Sequence, residues 1–124
     1  MGTSLYDQVG GEGFFVRLVD AFYDGVVRNP QLRAMYPDDL AASKTHLTLF
    51  LEQYWGGPPT YSMERGHPRL RLRHAPFTID RAAREGWLEA MQGALDTVRQ
   101  DLSDEQYVSL RDYFVSTARQ LQNR

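Results

Sequence analysis

Four consecutive residues, Gly56-Gly57-Pro58-Pro59, set the main constraint on what this chain can fold into. The glycines raise the entropy that a helix would have to lose, and neither proline has the amide hydrogen that a helix interior needs. No helix passes through this break, so the chain divides into two halves that must meet by packing. Before the break, Phe15, Leu18, Val19, Phe22 and Val26 recur at three- and four-residue spacing. This spacing predicts an amphipathic helix from about 13 to 28, stopped by Asn29-Pro30. A short element over 31–35 ends at Tyr36-Pro37. Leu40, Leu47, Leu51 and Tyr54, with Phe50 beside them, predict a second long helix ending at the break.

Beyond the break, 56–69 reads as irregular chain, a length that compact domains seldom carry without a use for it. Thr78 is the expected cap of a third long helix with Trp87, Met91, Leu95 and Val98 on one stripe. Ser103-Asp104-Glu105-Gln106 is a capping box opening a fourth, which bears Tyr107, Leu110, Phe114 and Leu121. No stretch alternates with period two. The expectation is an all-α single domain over 1–124, with four long helices in two consecutive pairs.

Composition removes several function classes. With 42% apolar and 24% charged residues and a formal charge of −2, the chain can bury a core. These values do not suit a disordered tail, a membrane span or a generally basic nucleic-acid binder. The absence of cysteine excludes disulfides, thiol catalysis and cysteine-ligated metal. No basic, apolar leader opens the chain, so the expected location is the cytoplasm.

Candidate chemistry concentrates in Gly66-His67-Pro68-Arg69-Leu70-Arg71-Leu72-Arg73-His74-Ala75-Pro76-Phe77. Pro68 and Pro76 limit any helix between them to two turns and hold His74 at the end of a stiff element. Leu72 and Phe77 are expected to put apolar bulk beside that imidazole, an environment suited to ligating a haem iron. His67, in Gly-His-Pro, suits a loop-stabilising hydrogen bond. His46, on the edge of the second helix's apolar stripe, can reach a polar group at the mouth of a pocket. Zinc fits poorly, because His67 and His74 stand seven apart with Pro68 between them. Tyr23, Tyr36 and Trp87 each combine apolar bulk with one polar hydrogen, and together they would line a pocket with donors. The arginines between 65 and 73 have a rival reading as a phosphate-contacting patch, which the net acidic chain does not favour.

The run Phe50-Leu51-Glu52-Gln53-Tyr54-Trp55-Gly56-Gly57-Pro58 with Tyr61, followed by the histidine-arginine segment, closely resembles the group II truncated haemoglobins. The resemblance extends from Leu5-Tyr6-Asp7 and Gly10-Gly11 through the last helix. It implies a two-on-two helical sandwich around haem b, with most of the proximal helix replaced by loop. By this match His74 is the iron ligand, Trp87 the group's distinguishing distal residue and Tyr23 the distal tyrosine. Tyr36 matches a tyrosine that some members carry where others have phenylalanine. His46, Tyr61 and Arg73 fall at propionate contacts, His46 standing where some relatives have arginine. Ser43 is a small distal residue that leaves the pocket open, Leu47 and Phe50 supply apolar distal wall, and Phe77 flanks the haem.

The implied ligands are O2, CO and NO. Fixed donors favour a ligand that draws negative charge over near-neutral CO, so tight O2 binding and slow release are expected. Oxygen chemistry, either NO dioxygenation or peroxidase-like turnover with a reductase, then competes with reversible O2 binding or sensing. No nucleic-acid partner or membrane span is expected, and homo-oligomerisation is left open.

Overall fold

The computed structural model describes residues 3–124. Its helices are α1 (Leu5–Gln8), α2 (Glu12–Arg28), α3 (Pro30–Arg33), α4 (Ala41–Tyr54), α5 (Thr60–Arg65), α6 (Leu70–His74), α7 (Arg81–Thr97) and α8 (Asp104–Leu121). One 3-10 turn, Arg99–Asp101, joins α7 to α8, and no strand occurs among the described residues. The four long helices expected from periodicity are α2, α4, α7 and α8. Helix α2 packs on both α4 and α7, and α7 packs on α8.

The stripe on α2 becomes the centre of the core. Phe14, Phe15, Leu18, Val19, Phe22 and Val26 are all buried, against Leu51 of α4, Met91 and Leu95 of α7, and Leu110 and Phe114 of α8. Each such side chain contributes about 1.5–3 kcal/mol by leaving water. The α2–α7 crossing is close because Gly25 has no side chain: a Cβ there would lie 3.0 Å from the Ala90 Cβ. Helix α4 differs from its partners. Only Leu51 and Glu52 are buried on it, while Leu47 and Phe50 remain half-exposed.

Three local expectations are corrected. The third long helix is capped by Asp80, whose side chain accepts from the Ala83 amide at 2.9 Å, and not by Thr78. Carboxylates and hydroxyls both cap helices, and Asp80 stands directly before the first helical residue. The segment 56–69 is not wholly irregular, because α5 occupies Thr60–Arg65 after the proline pair, where proline suits a helix start. Helix α1 was not expected at all. It lies on the turn after α4, with the Tyr6 amide donating to the Trp55 carbonyl at 3.0 Å. Gly56 makes room for it. Its φ is +102°, and a Cβ would sit 2.4 Å from the Ser4 Cβ.

Candidate functional site

A cavity of about 410 Å³ opens among α2, α4, α7, α8 and the 61–77 segment. It is lined by all eleven side chains assigned to a site above: Tyr23, Tyr36, Ser43, His46, Leu47, Phe50, Tyr61, Arg73, His74, Phe77 and Trp87. The half-exposed state of Leu47 and Phe50 follows from this, since they face the cavity and not the packed core.

One wall carries the polar aromatics. Tyr23 comes from α2, Tyr36 from the turn after α3, and Trp87 from α7. The two phenol rings meet edge to face, 5.5 Å apart at 82°, and Phe22 bridges towards Trp87 with a centroid separation of 5.3 Å. Burial pushes the Tyr36 phenol up to about 12, against the opposing pull of a hydrogen bond with Trp87, in which the indole N–H is the donor. Tyr23 is held further above the usual phenol range, by burial first and then by Tyr36, with the Ser43 hydroxyl pulling the other way. Both phenols therefore keep their protons at neutral pH and remain donors.

The other wall is built from the proline-bracketed segment. His74 ends α6, and its Nδ1 lies 2.7 Å from the Leu70 carbonyl oxygen. A carbonyl only accepts, so Nδ1 carries the hydrogen and the Nε2 lone pair is left for a metal or an acid. Phe77 lines the cavity as expected, but Leu72 is 65% exposed and lies outside it. Two residues before His74 on a helix, Leu72 points to the opposite side. His67 is exposed, and its Nδ1 accepts from the Arg69 amide at 3.3 Å, a loop bond that steadies the one non-glycine residue with positive φ among those described, Arg69 at +47°.

Arg73 braces the segment. Its Nε donates to the Pro68 carbonyl at 2.7 Å and a terminal nitrogen donates to the Arg65 carbonyl at 3.0 Å. Arg65 in turn lies 3.0 Å from the His46 Nε2, and since arginine only donates, that nitrogen accepts and His46 is neutral. Its pKa is lowered below the usual histidine value by burial, then by Arg65 and Arg73, with Glu64 acting in the opposite sense. Tyr61 is buried beneath this rim, edge to face with Phe50 at 5.6 Å.

Sequence reasoning missed the wall supplied by α8, where Tyr113, Phe114, Thr117 and Leu121 face the cavity. Their three- and four-residue spacing was visible, but it reads as core until the partner helices are placed. It also missed Arg84, whose buried Nε has no hydrogen-bond partner although the residue lines the cavity. A buried guanidinium nitrogen without an acceptor is costly and points to a missing acidic group. The site thus fits a flat apolar molecule with an acidic edge and a metal centre: apolar walls, the unpaired Arg84 Nε, and one imidazole with a free Nε2.

The family model for bacterial-like globins matches residues 4–121. The group 2 truncated hemoglobin of Bacillus subtilis (strain 168) is 44% identical over 101 residues, covering 79% of this chain and 76% of that protein. The solved structure of the hemoglobin from the thermophilic phototrophic bacterium Chloroflexus aurantiacus superposes with a TM-score of 0.95 at 46% identity, covering 99% of this chain and 100% of that one. The truncated oxygen-avid haemoglobin from Bacillus subtilis superposes with a TM-score of 0.91 at 39% identity, covering 98% of this chain and all of that one. The chain belongs to the bacterial-like globins, and the four-helix arrangement is their two-on-two sandwich. Within them its place is with the group 2 truncated haemoglobins. Membership brings a haem cofactor that binds small diatomic ligands. No helix among the described residues is long and apolar enough to cross a membrane.

Proposed function

We propose that the chain holds haem b through His74 and retains O2 tightly through the hydrogen-bond network of Trp87, Tyr36 and Tyr23, for oxygen chemistry and not for oxygen storage. When bound, the haem supplies an iron that takes a diatomic ligand and exchanges single electrons. The observation that carries the reading is the meeting of three hydrogen-bonding aromatics from α2, α7 and the turn after α3, with Trp87 donating to Tyr36, on the same cavity as an imidazole with a free Nε2. His74 is oriented by the Leu70 carbonyl, which makes Nε2 a stronger base. His46, Tyr61, Arg65, Arg73 and Arg84 meet the acidic edge of the cofactor. Ser43 leaves the entry side open, while Leu47, Phe50 and Phe77 exclude water.

Each donor–ligand hydrogen bond to a charge-bearing oxygen contributes about 1.5–3 kcal/mol in a dry pocket. Two of them slow ligand escape by roughly two to four powers of ten. The oxygen avidity of the similar Bacillus subtilis protein supports this reading. A protein that releases O2 so slowly serves NO oxidation or peroxide reduction in the cytoplasm, resupplied with electrons by a reductase.

The test is an absorption spectrum of the purified protein as isolated, reduced, and reduced under CO, followed by NO-driven turnover with and without a reductase. A CO-sensitive, histidine-ligated ferrous spectrum and turnover well above free haem are expected. Failure to take up haem overturns the reading. Turnover no faster than free haem leaves a reversible O2-binding protein in its place.

A further inference from the structure

Tyr36 is the one member of the aromatic wall that stands on no long helix. Tyr23 is carried by α2 and Trp87 by α7, whereas Tyr36 lies in 34–40, between α3 and α4, where no helix runs. Its ring nevertheless meets Tyr23 edge to face and its hydroxyl accepts from the Trp87 indole. Pro37 beside it has no amide hydrogen with which to fix the turn. A single side chain gathers the turn instead. Arg33, half-buried at the end of α3, donates through one terminal nitrogen to the Tyr36 and Pro37 carbonyls, at 3.3 and 2.9 Å. Its other terminal nitrogen donates to the Asp38 carbonyl at 2.8 Å.

We propose that Arg33 is a positioning residue for the aromatic wall: by gathering three consecutive carbonyls it fixes where the Tyr36 hydroxyl stands, and so sets how long the cavity retains O2. The inference rests on the haem-based O2 retention proposed above. Arg33 itself does not line the cavity, so its effect must pass through another residue.

Both ends of this clamp are anchored. Behind Arg33, α3 is fixed by Leu32, which is buried in the core, and by the Asn29 side chain, which accepts from the Leu32 amide at 3.1 Å. Ahead of it, the Asp39 side chain accepts from the Ala41 amide at 2.9 Å at the start of α4, the helix that carries Ser43. Arginine suits the place between them. Its planar fork presents several N–H donors in fixed directions, while lysine offers one nitrogen on a flexible stem.

Converging carbonyls repel one another through their negative ends, and the guanidinium cation offsets that repulsion. Without it the carbonyls turn to water, the turn opens, and the Tyr36 hydroxyl moves away from Trp87. Tyr23 is held by the packing of α2 and does not follow. The whole effect of Arg33 on ligand retention therefore passes through Tyr36.

The experiment compares Arg33→Met, Arg33→Lys, Tyr36→Phe and the Arg33→Met/Tyr36→Phe double variant as haem-loaded proteins. Three quantities are read: O2 and CO dissociation by stopped flow, the C–O stretching band of the CO complex by infrared, and amide hydrogen exchange across 34–41 by mass spectrometry. Arg33→Met is expected to speed O2 release about five- to ten-fold and CO release less than about two-fold. It should also move the C–O band towards its position in Tyr36→Phe and raise exchange across 34–41 several-fold. In the Tyr36→Phe background it should add nothing to O2 release, since two changes acting through one group do not add. Arg33→Lys, which keeps the charge but not the fork, should fall between wild type and Arg33→Met, and it carries the test if Arg33→Met does not fold. Arg28→Met, which removes an exposed arginine at the end of α2, serves as the control with all three readouts unaltered. Equal acceleration of O2 release with and without the Tyr36 hydroxyl overturns the proposal. So does faster exchange across 34–41 with O2 release and the C–O band unchanged. Both of those results leave the haem reading intact, whereas a protein that takes up no haem overturns both.

Discussion

The two walls of the cavity are built on opposite principles. The wall with Tyr23, Tyr36 and Trp87 stands mainly on long helices whose other faces form the core, so its polar hydrogens are aimed by packing. The wall with His74 stands on α6, five residues long with none buried, and is held by hydrogen bonds to backbone carbonyls. A helix that short has no stability of its own. Arg73 and the Leu70 carbonyl do for His74 what the hydrophobic core does for Trp87. A site that must hold a large cofactor on one side and small ligands on the other gains from this division. The donor geometry is fixed by the core, and that of the strap by its own hydrogen bonds.

Removal of His74 tests the strap most severely. Loss of an oriented outer partner of a metal ligand typically weakens metal affinity about 10–100-fold, and loss of the ligand itself exceeds that. His74→Ala is therefore expected to speed haem transfer to apomyoglobin by more than about a hundred-fold, with far-UV circular dichroism retained because the core lies elsewhere. On the packed wall, Trp87→Phe removes one N–H and keeps most of the aromatic bulk. Stopped-flow O2 dissociation is expected to accelerate about ten- to hundred-fold, with CO dissociation moving much less. An equal change for both gases would assign Trp87 to steric exclusion.

Arg73→Leu deletes two hydrogen bonds from a cation to carbonyls of the loop. The expectation is a loss of haem retention of about ten-fold with O2 dissociation nearly unchanged, which would separate the two walls experimentally. A parallel change in O2 release would show that the strap also positions the ligand.

The smallest effect is the response to pH. His46 has its pKa lowered in the folded protein from an unfolded value of about 6.5, so the unfolded chain binds the proton more readily. Stability is complete above about pH 6.5 and declines as pH falls below it towards the lowered folded value. His46→Gln should flatten that decline in thermal melts. The other wall should show no such step: with Tyr36 near 12 and Tyr23 above it, O2 release stays flat between about pH 7 and 10. A step in that range would place a phenolate in the pocket.

The long helices were legible because burial imposes a periodicity that survives in one dimension. The α2 stripe ends at Asn29, whose side chain accepts from the Leu32 amide, and the Ser103–Gln106 box forms as written. Asp80 was missed because Thr78 satisfies the same local rule two residues earlier. Helices α1 and α5 were missed because four and six residues are too few for a stripe, and both depend on what they lie against. Tyr113 and Arg84 were missed for a different reason. A residue on a stripe faces core or cavity depending on whether the opposing helix leaves a space, and the spacing of residues along one helix carries no such information.

The sequence by itself determined that the chain is all helix, where it breaks, and that the family motif places an imidazole in a proline-bracketed strap. These follow from local sterics and short-range periodicity, which act between residues near in the chain. Tertiary structure alone decided which faces enclose the cavity, that Leu72 turns away from it, that the Arg84 Nε is left buried without an acceptor, and that Tyr113 meets Tyr54. Those outcomes depend on the approach of helices far apart in sequence, where close packing sets every contact at once.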